Sequence, residues 1–194
     1  MRRLDLVVGP NGAGKTTFVQ RTLSRQLPPT VLFVNADAIA RHHWPDDAAR
    51  HAYDAARIAA ETRTKLITAG ESFIAETVFS HPSKLELIDQ AHLAGYAVVV
   101  HVLLVPEQLA LARVLLRVRA GGHAVPEDKV VERYRRLWSL VAEALVTADE
   151  STVYDNSGAA PRPVARLVAG GIAVGETTWP EWTPAPLPAT WPSS

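Results

Sequence analysis

The chain has 194 residues, 47% of them hydrophobic and 21% charged, and its 20 basic residues balance 20 acidic ones. That length and composition fit one globular domain with a sizeable core and exclude wholesale disorder, while zero net charge removes the broad positive field on which non-specific nucleic-acid binding depends. With no cysteine, disulfides, thiolate–zinc sites and thiol nucleophiles are all excluded.

Leu4 to Val8 reads as a strand, ending at a Gly-rich turn that opens a helix from Lys15 to about Gln26. Val31 to Val34 follows the breakers Pro28 and Pro29 as a second strand. An Ala-rich helical pattern covers Asp46 to Ala69 and stops at Gly70. Ser72 to Ala75 is the third strand, running into Glu76, and Ser83 to Ala94 is a helix closed by Gly95. Ala97 to Val105 is the most continuous apolar strand, and at nine residues it is too short to span a bilayer. A helix from Pro106 to Arg119 and another from Glu127 to Ala148 make a helical hairpin around Gly121 and Gly122. Thr152 to Tyr154 is a fifth strand, and Pro161 to Ala169 reads as a last helix.

Strands and helices alternating at this interval predict a three-layer α/β/α fold with a mostly parallel five-stranded sheet, and the Gly-rich turn taken up next makes it one of the P-loop type with the helical hairpin as a lid. The domain is expected to occupy residues 1–175, with the lid at about 113–136. Residues 176–194 form a tail in which five of nineteen residues are Pro and three are Trp, a composition that predicts no regular structure. No export signal is visible in residues 1–8, so the expected location is cytoplasmic, with neither a nucleic acid nor a membrane as partner.

The chemistry concentrates in Gly9-Pro10-Asn11-Gly12-Ala13-Gly14-Lys15-Thr16, a full match to G-x-x-x-x-G-K-(S/T), followed by Thr17. Glycines let successive backbone N–H groups converge on phosphate oxygens at the opening of a helix. Lys15 would reach the terminal phosphates of ATP, and the Thr16 hydroxyl would hold Mg²⁺. Asp37, just past the second strand, would lie on the same rim. There it either accepts the proton of an attacking hydroxyl or caps a short helix from Ala38 to His42. Glu76, followed by Thr77, ends a hydrophobic strand, where an acid holds Mg²⁺ or the substrate. Between Arg113 and Arg136 seven basic residues face three acidic ones. Arginines on a mobile segment neutralise a transferring phosphoryl group, and Arg117, Arg119 and Arg133 are the candidates. Asp155-Asn156-Ser157-Gly158 after the fifth strand is either an ordinary turn or a contact to the nucleotide base. His42-His43 reads as a helix end.

Over residues 4–158 the chain resembles the zeta-toxin family of P-loop kinases. The resemblance rests on Asn35-Ala36-Asp37, on Phe73-Ile74-Ala75-Glu76-Thr77, and on Arg117-Val118-Arg119-Ala120-Gly121-Gly122-His123 leading to Val125-Pro126. It implies a kinase acting on a UDP-activated N-acetylhexosamine such as UDP-N-acetylglucosamine, and a possible small helical antitoxin as partner. By position, Lys15 and Thr16 resemble the ATP and Mg²⁺ contacts, Asp37 the general base, Glu76 a substrate-site acid, and Arg117 or Arg119 a lid arginine. Where the family has a second lid arginine, this chain has His123, with Arg133 a helix farther on. The alternatives are a kinase of another small hydroxyl compound (a nucleoside, shikimate-like or antibiotic acceptor) and a nucleotide-binding switch without acceptor. No Asn-Lys-x-Asp string for guanine is present.

Overall fold

The fold comes from a computed structural model that describes residues 2–119, 126–169 and 171–192. In chain order its elements are β1 (Arg2–Val8), α1 (Lys15–Arg21), β2 (Leu32–Val34), α2 (Ala36–His43), α3 (Ala52–Ala69), β3 (Phe73–Thr77), α4 (Ser83–Leu93), β4 (Tyr96–Leu104), α5 (Glu107–Arg119), α6 (Glu127–Thr147), β5 (Glu150–Asp155), β6 (Arg162–Val168), β7 (Ile172–Ala173) and α7 (Pro186–Thr190). The strands form one sheet in the order β2-β3-β1-β4-β5-β6-β7. The first five are parallel, and β6 and β7 add antiparallel to that edge.

Hydrophobic continuity explains which strands are central. Leu4, Leu6, Val7 and Val8 of β1 and Val98, Val100 and Val102 to Leu104 of β4 have no exposed surface, as strands covered by helices on both faces require. All five parallel strands deliver their carboxyl ends to one rim, and β1, flanked by β3 and β4, puts the Gly-rich turn at its middle.

Five expectations are corrected. The sheet has seven strands among the described residues, and the segment read as a helix from Pro161 is β6. A register shift at Val153/Tyr154 places Val164 as an extra residue between Pro163 and Ala165, so adjacent Val164 and Ala165 are both buried and the alternation that identifies a strand is lost. The first helix ends at Arg21, and Leu23–Arg25 continues only as a 3-10 turn. The long helix starts at Ala52 rather than Asp46, because the chain turns sharply at the α2–α3 corner, where Trp44 stacks on His51 with ring centroids 4.4 Å apart. The tail carries α7, whose Leu187 is fully buried, and Trp179, Trp182 and Trp191 pack against the core. No described helix is long and apolar enough to cross a membrane.

A buried polar cluster lies beneath the turn. The Asp5 carboxylate accepts hydrogen bonds from Arg3 at 2.7 Å on each oxygen, and its Oδ1 is 2.8 Å from His101 Nε2. Burial alone would raise the Asp5 pKa, but the bonds from His101 and Arg3 outweigh it and the net shift is downward. A carboxylate held below its ordinary value of 3.8 stabilises the fold fully above that pH and loses the contribution as pH falls through the lower, folded value. Asp5→Asn should therefore cost roughly 3 kcal/mol at pH 7. In urea melts the gap to the native protein should narrow as pH falls below 3.8, and a gap that stays the same across that range would contradict this role for Asp5.

Candidate functional site

The Gly-rich turn is shaped by positions that only glycine fits. Gly12 and Gly14 have φ of +80° and +83°, and a side chain on Gly12 would run into the Ala110 carbonyl of α5. A Cβ on Gly9 would lie 2.7 Å from the Leu103 carbonyl oxygen. The loop is consequently pressed between the end of β4 and α5, with Gly14 in the left-handed region at the start of α1 and no side chain capping that helix. Its first N–H groups stay available to an anion.

Lys15 is 7% exposed and donates to the carbonyls of Gly9 at 3.0 Å and Pro10 at 2.9 Å. Burial lowers its pKa, the Glu76 and Asp37 carboxylates oppose that shift, and the Arg117 guanidinium adds to it. All three of these groups therefore lie within electrostatic reach of the lysine. Thr16 Oγ1 donates to Glu76 Oε2 at 2.8 Å, and Asn35 Nδ2 donates to the same oxygen at 2.6 Å.

Asn35 resolves the ambiguity over Asp37. Its Oδ1 accepts the Ala38 N–H at 2.9 Å, so Asn35 is the N-cap of α2 and Asp37 is not. Asp37 instead stands exposed in the first turn of that helix, with no hydrogen bond or ion pair among the described residues. Thr77 Oγ1 accepts the Phe79 N–H at 3.2 Å and supports a buried residue with φ of +64° beside the acids. Such a backbone costs on the order of 1–3 kcal/mol and concentrates at functional margins.

On the opposite side of the loop a cleft of about 460 Å³ is lined by Gly12, Gly14, Thr17, Arg21, Arg113 and Asn156 among others. Asn156 Nδ2 donates to the Ala13 carbonyl at 2.6 Å, and Arg113 donates to the carbonyls of Asn156 at 3.1 Å and Ser157 at 3.3 Å. Asp155 Oδ1 accepts the N–H of Ser157 at 3.0 Å and its hydroxyl at 2.6 Å. The segment after β5 is thus a turn that also walls the phosphate loop. Sequence reasoning missed Arg113 as a latch because an arginine in an amphipathic helix carries no signal of what it touches.

The lid candidates are only partly brought in. Arg117 is exposed but reaches the field of Lys15. Arg119, also exposed, and half-buried Arg133 make no hydrogen bond among the described residues, and His123 with the glycine hinge lies outside them. Among the described residues no group of three or more His, Cys, Asp or Glu is arranged to hold a metal. The donor set fits Mg²⁺ all the same, because that ion is held by one or two protein oxygens together with substrate phosphates, and Thr16 and Glu76 already touch.

Among curated proteins none matches the chain. Solved structures do. The chain is similar to one from the PezAT chromosomal toxin–antitoxin system of Streptococcus pneumoniae, at 16% identity and a TM-score of 0.62 over 80% of this chain and 68% of that one. It is similar to the AvrRxo1-ORF1:-ORF2 complex with ATP, at 16% identity and a TM-score of 0.68, covering 88% of this chain but 59% of that one. A protein from Chloroflexus aurantiacus J-10-fl named as a candidate kinase aligns at 20% identity and a TM-score of 0.55, over 70% and 78% of the two chains. These likenesses establish the fold. Residues 2–162, most of the chain and all of the site described above, match the family described as Zeta toxin, and the protein belongs to that family.

Proposed function

We propose that the protein is an ATP-dependent kinase that transfers the γ-phosphoryl group to a hydroxyl, with a UDP-activated N-acetylhexosamine as acceptor. The observation that carries this reading is the meeting of Lys15, Thr16–Glu76 and Asp37, which has no partner among the described residues, on one rim, together with family membership. ATP would rest on residues 9–17, with its base toward the cleft of Arg113 and Asn156; one structural relative was solved with ATP. Mg²⁺, held by Thr16 and Glu76, would supply charge compensation on the phosphates.

Lys15 leaves the loop carbonyls to hold terminal phosphate oxygens. Asn35 fixes Glu76 through one oxygen and keeps the other free. The acceptor oxygen bonds to the γ-phosphorus as the bond to the bridging β–γ oxygen breaks, the hydroxyl proton passes to the Asp37 carboxylate, and ADP departs. Arg117 neutralises the equatorial oxygens, with Arg119, Arg133 and His123 as further contacts of the closed lid. A small helical antitoxin is the partner we propose, because one structural relative comes from a toxin–antitoxin system.

The test is incubation with γ-labelled ATP and a panel of UDP-N-acetylglucosamine, UDP-N-acetylgalactosamine, nucleosides and shikimate, read by mass spectrometry. A phosphorylated nucleotide sugar is the expected product. Label on a different hydroxyl compound would replace the acceptor, and phosphate release without any acceptor product would make the protein a nucleotide hydrolase or switch.

A further inference from the structure

Arg113, half-buried on α5, is fastened to backbone carbonyls alone among the described residues. Its guanidinium donates to Asn156 at 3.1 Å and Ser157 at 3.3 Å, and it approaches the Gly12 carbonyl at 3.5 Å. One side chain therefore joins three segments: α5, the phosphate loop and the turn after β5. That turn is itself anchored. The Asn156 N–H donates to the Leu104 carbonyl at 2.8 Å, and its Nδ2 donates to the Ala13 carbonyl at 2.6 Å. A planar guanidinium fork can bridge two successive carbonyls, whereas a lysine ammonium is a point charge without that geometry.

The helix extends this fastening toward the phosphates. Ala110, Arg113 and Arg117 are spaced three and four residues apart, so they share one face of α5. Ala110 presses on the loop, because its carbonyl leaves no room for a side chain on Gly12. Arg117 follows Arg113 by one turn, about 6 Å along the axis, and is exposed. Its charge is felt at Lys15, whose ammonium is bonded to that same loop. Arg113 also lines the cleft of about 460 Å³ beside the loop, together with Thr17, Arg21 and Asn156. An occupant of the cleft would therefore touch the side chain that ties down the helix bearing Arg117.

We infer that Arg113 is a positioning residue that couples the donor's base to its phosphates: a base in the cleft steadies the Arg113 bridge, the bridge holds α5 against the loop, and Arg117 is thereby set over the transferring phosphoryl group. This rests on the kinase reading. Binding energy from a part of the donor remote from the reacting bond then appears in kcat and not only in KM. The test compares ATP with inorganic tripolyphosphate as donor, using the acceptor found by the product assay. In the native protein tripolyphosphate should give a kcat roughly 10- to 100-fold below that of ATP. Arg113→Met should shrink this advantage of ATP to within about a few-fold by lowering kcat with ATP. Combined with Arg117→Met it should fall no further than Arg117→Met alone, because the two residues act in series. Arg113→Lys keeps the charge without the fork, should behave in the same way, and serves if Arg113→Met fails to fold. Hydrogen exchange read by mass spectrometry gives a measurement without turnover. A non-hydrolysable ATP analogue should slow exchange across Glu107–Arg119 more than tripolyphosphate does, and the difference should vanish in the Arg113 variants. A change in KM with kcat intact, losses that multiply in the double variant, or equal protection of native α5 by the two ligands would overturn the coupling. The expected exchange pattern without transfer to any acceptor would uphold it and remove the kinase reading instead.

Discussion

Asp37→Asn should bind ATP as tightly as the native protein and transfer phosphate about 10²- to 10⁴-fold more slowly, the range general-base removal produces. The substitution is nearly isosteric and falls on an exposed side chain with no partner among the described residues, so it should leave the melting temperature within a degree or so. Stability, nucleotide affinity and turnover thus separate cleanly. Unchanged turnover in Asp37→Asn would remove this carboxylate as the base. Since Asn35 already caps α2, a structural explanation for a fall in rate is not available.

Lys15→Met should lose both nucleotide affinity and turnover. Methionine keeps most of the buried stem and removes the ammonium, which in the free protein bonds to Gly9 and Pro10. Losing a preorganised cation at the transferring phosphoryl group costs roughly 10²- to 10³-fold in kcat. The fold should survive, because burial already disfavours the lysine's charged form and two loop carbonyls are the only hydrogen-bond partners given up among the described residues. Titration calorimetry with an ATP analogue, beside a thermal melt, checks this. Native affinity in Lys15→Met would move the donor phosphates away from the loop.

The family resemblance rested on strings that carry their own context, and those strings are the parts of the site that could be read directly. The phosphate loop is legible because positive φ and close backbone approach leave glycine as the residue that fits at 9, 12 and 14. Glu76 is legible because an acid ending the apolar run of Phe73 to Ala75 has no place in a core. Asn35 and Asp37 stand two positions apart and are equally able to cap, so which of them does so depends on where α2 starts relative to β2.

Other features are invisible along the chain. The bulge at Val164 turns a strand pattern into one that imitates a helix, and only pairing with β5 reveals it. Arg113 and Asn156 look like ordinary polar residues until packing sets them, more than forty positions apart, against the loop. Local sequence thus determined the phosphate loop, the alternation of strands and helices and the acidic strand ends, because each depends on torsions and periodicities within a few residues. The tertiary structure alone decided the order of strands, the cap of α2 and the neighbours of each charge, because those depend on contacts between distant segments that no local pattern encodes.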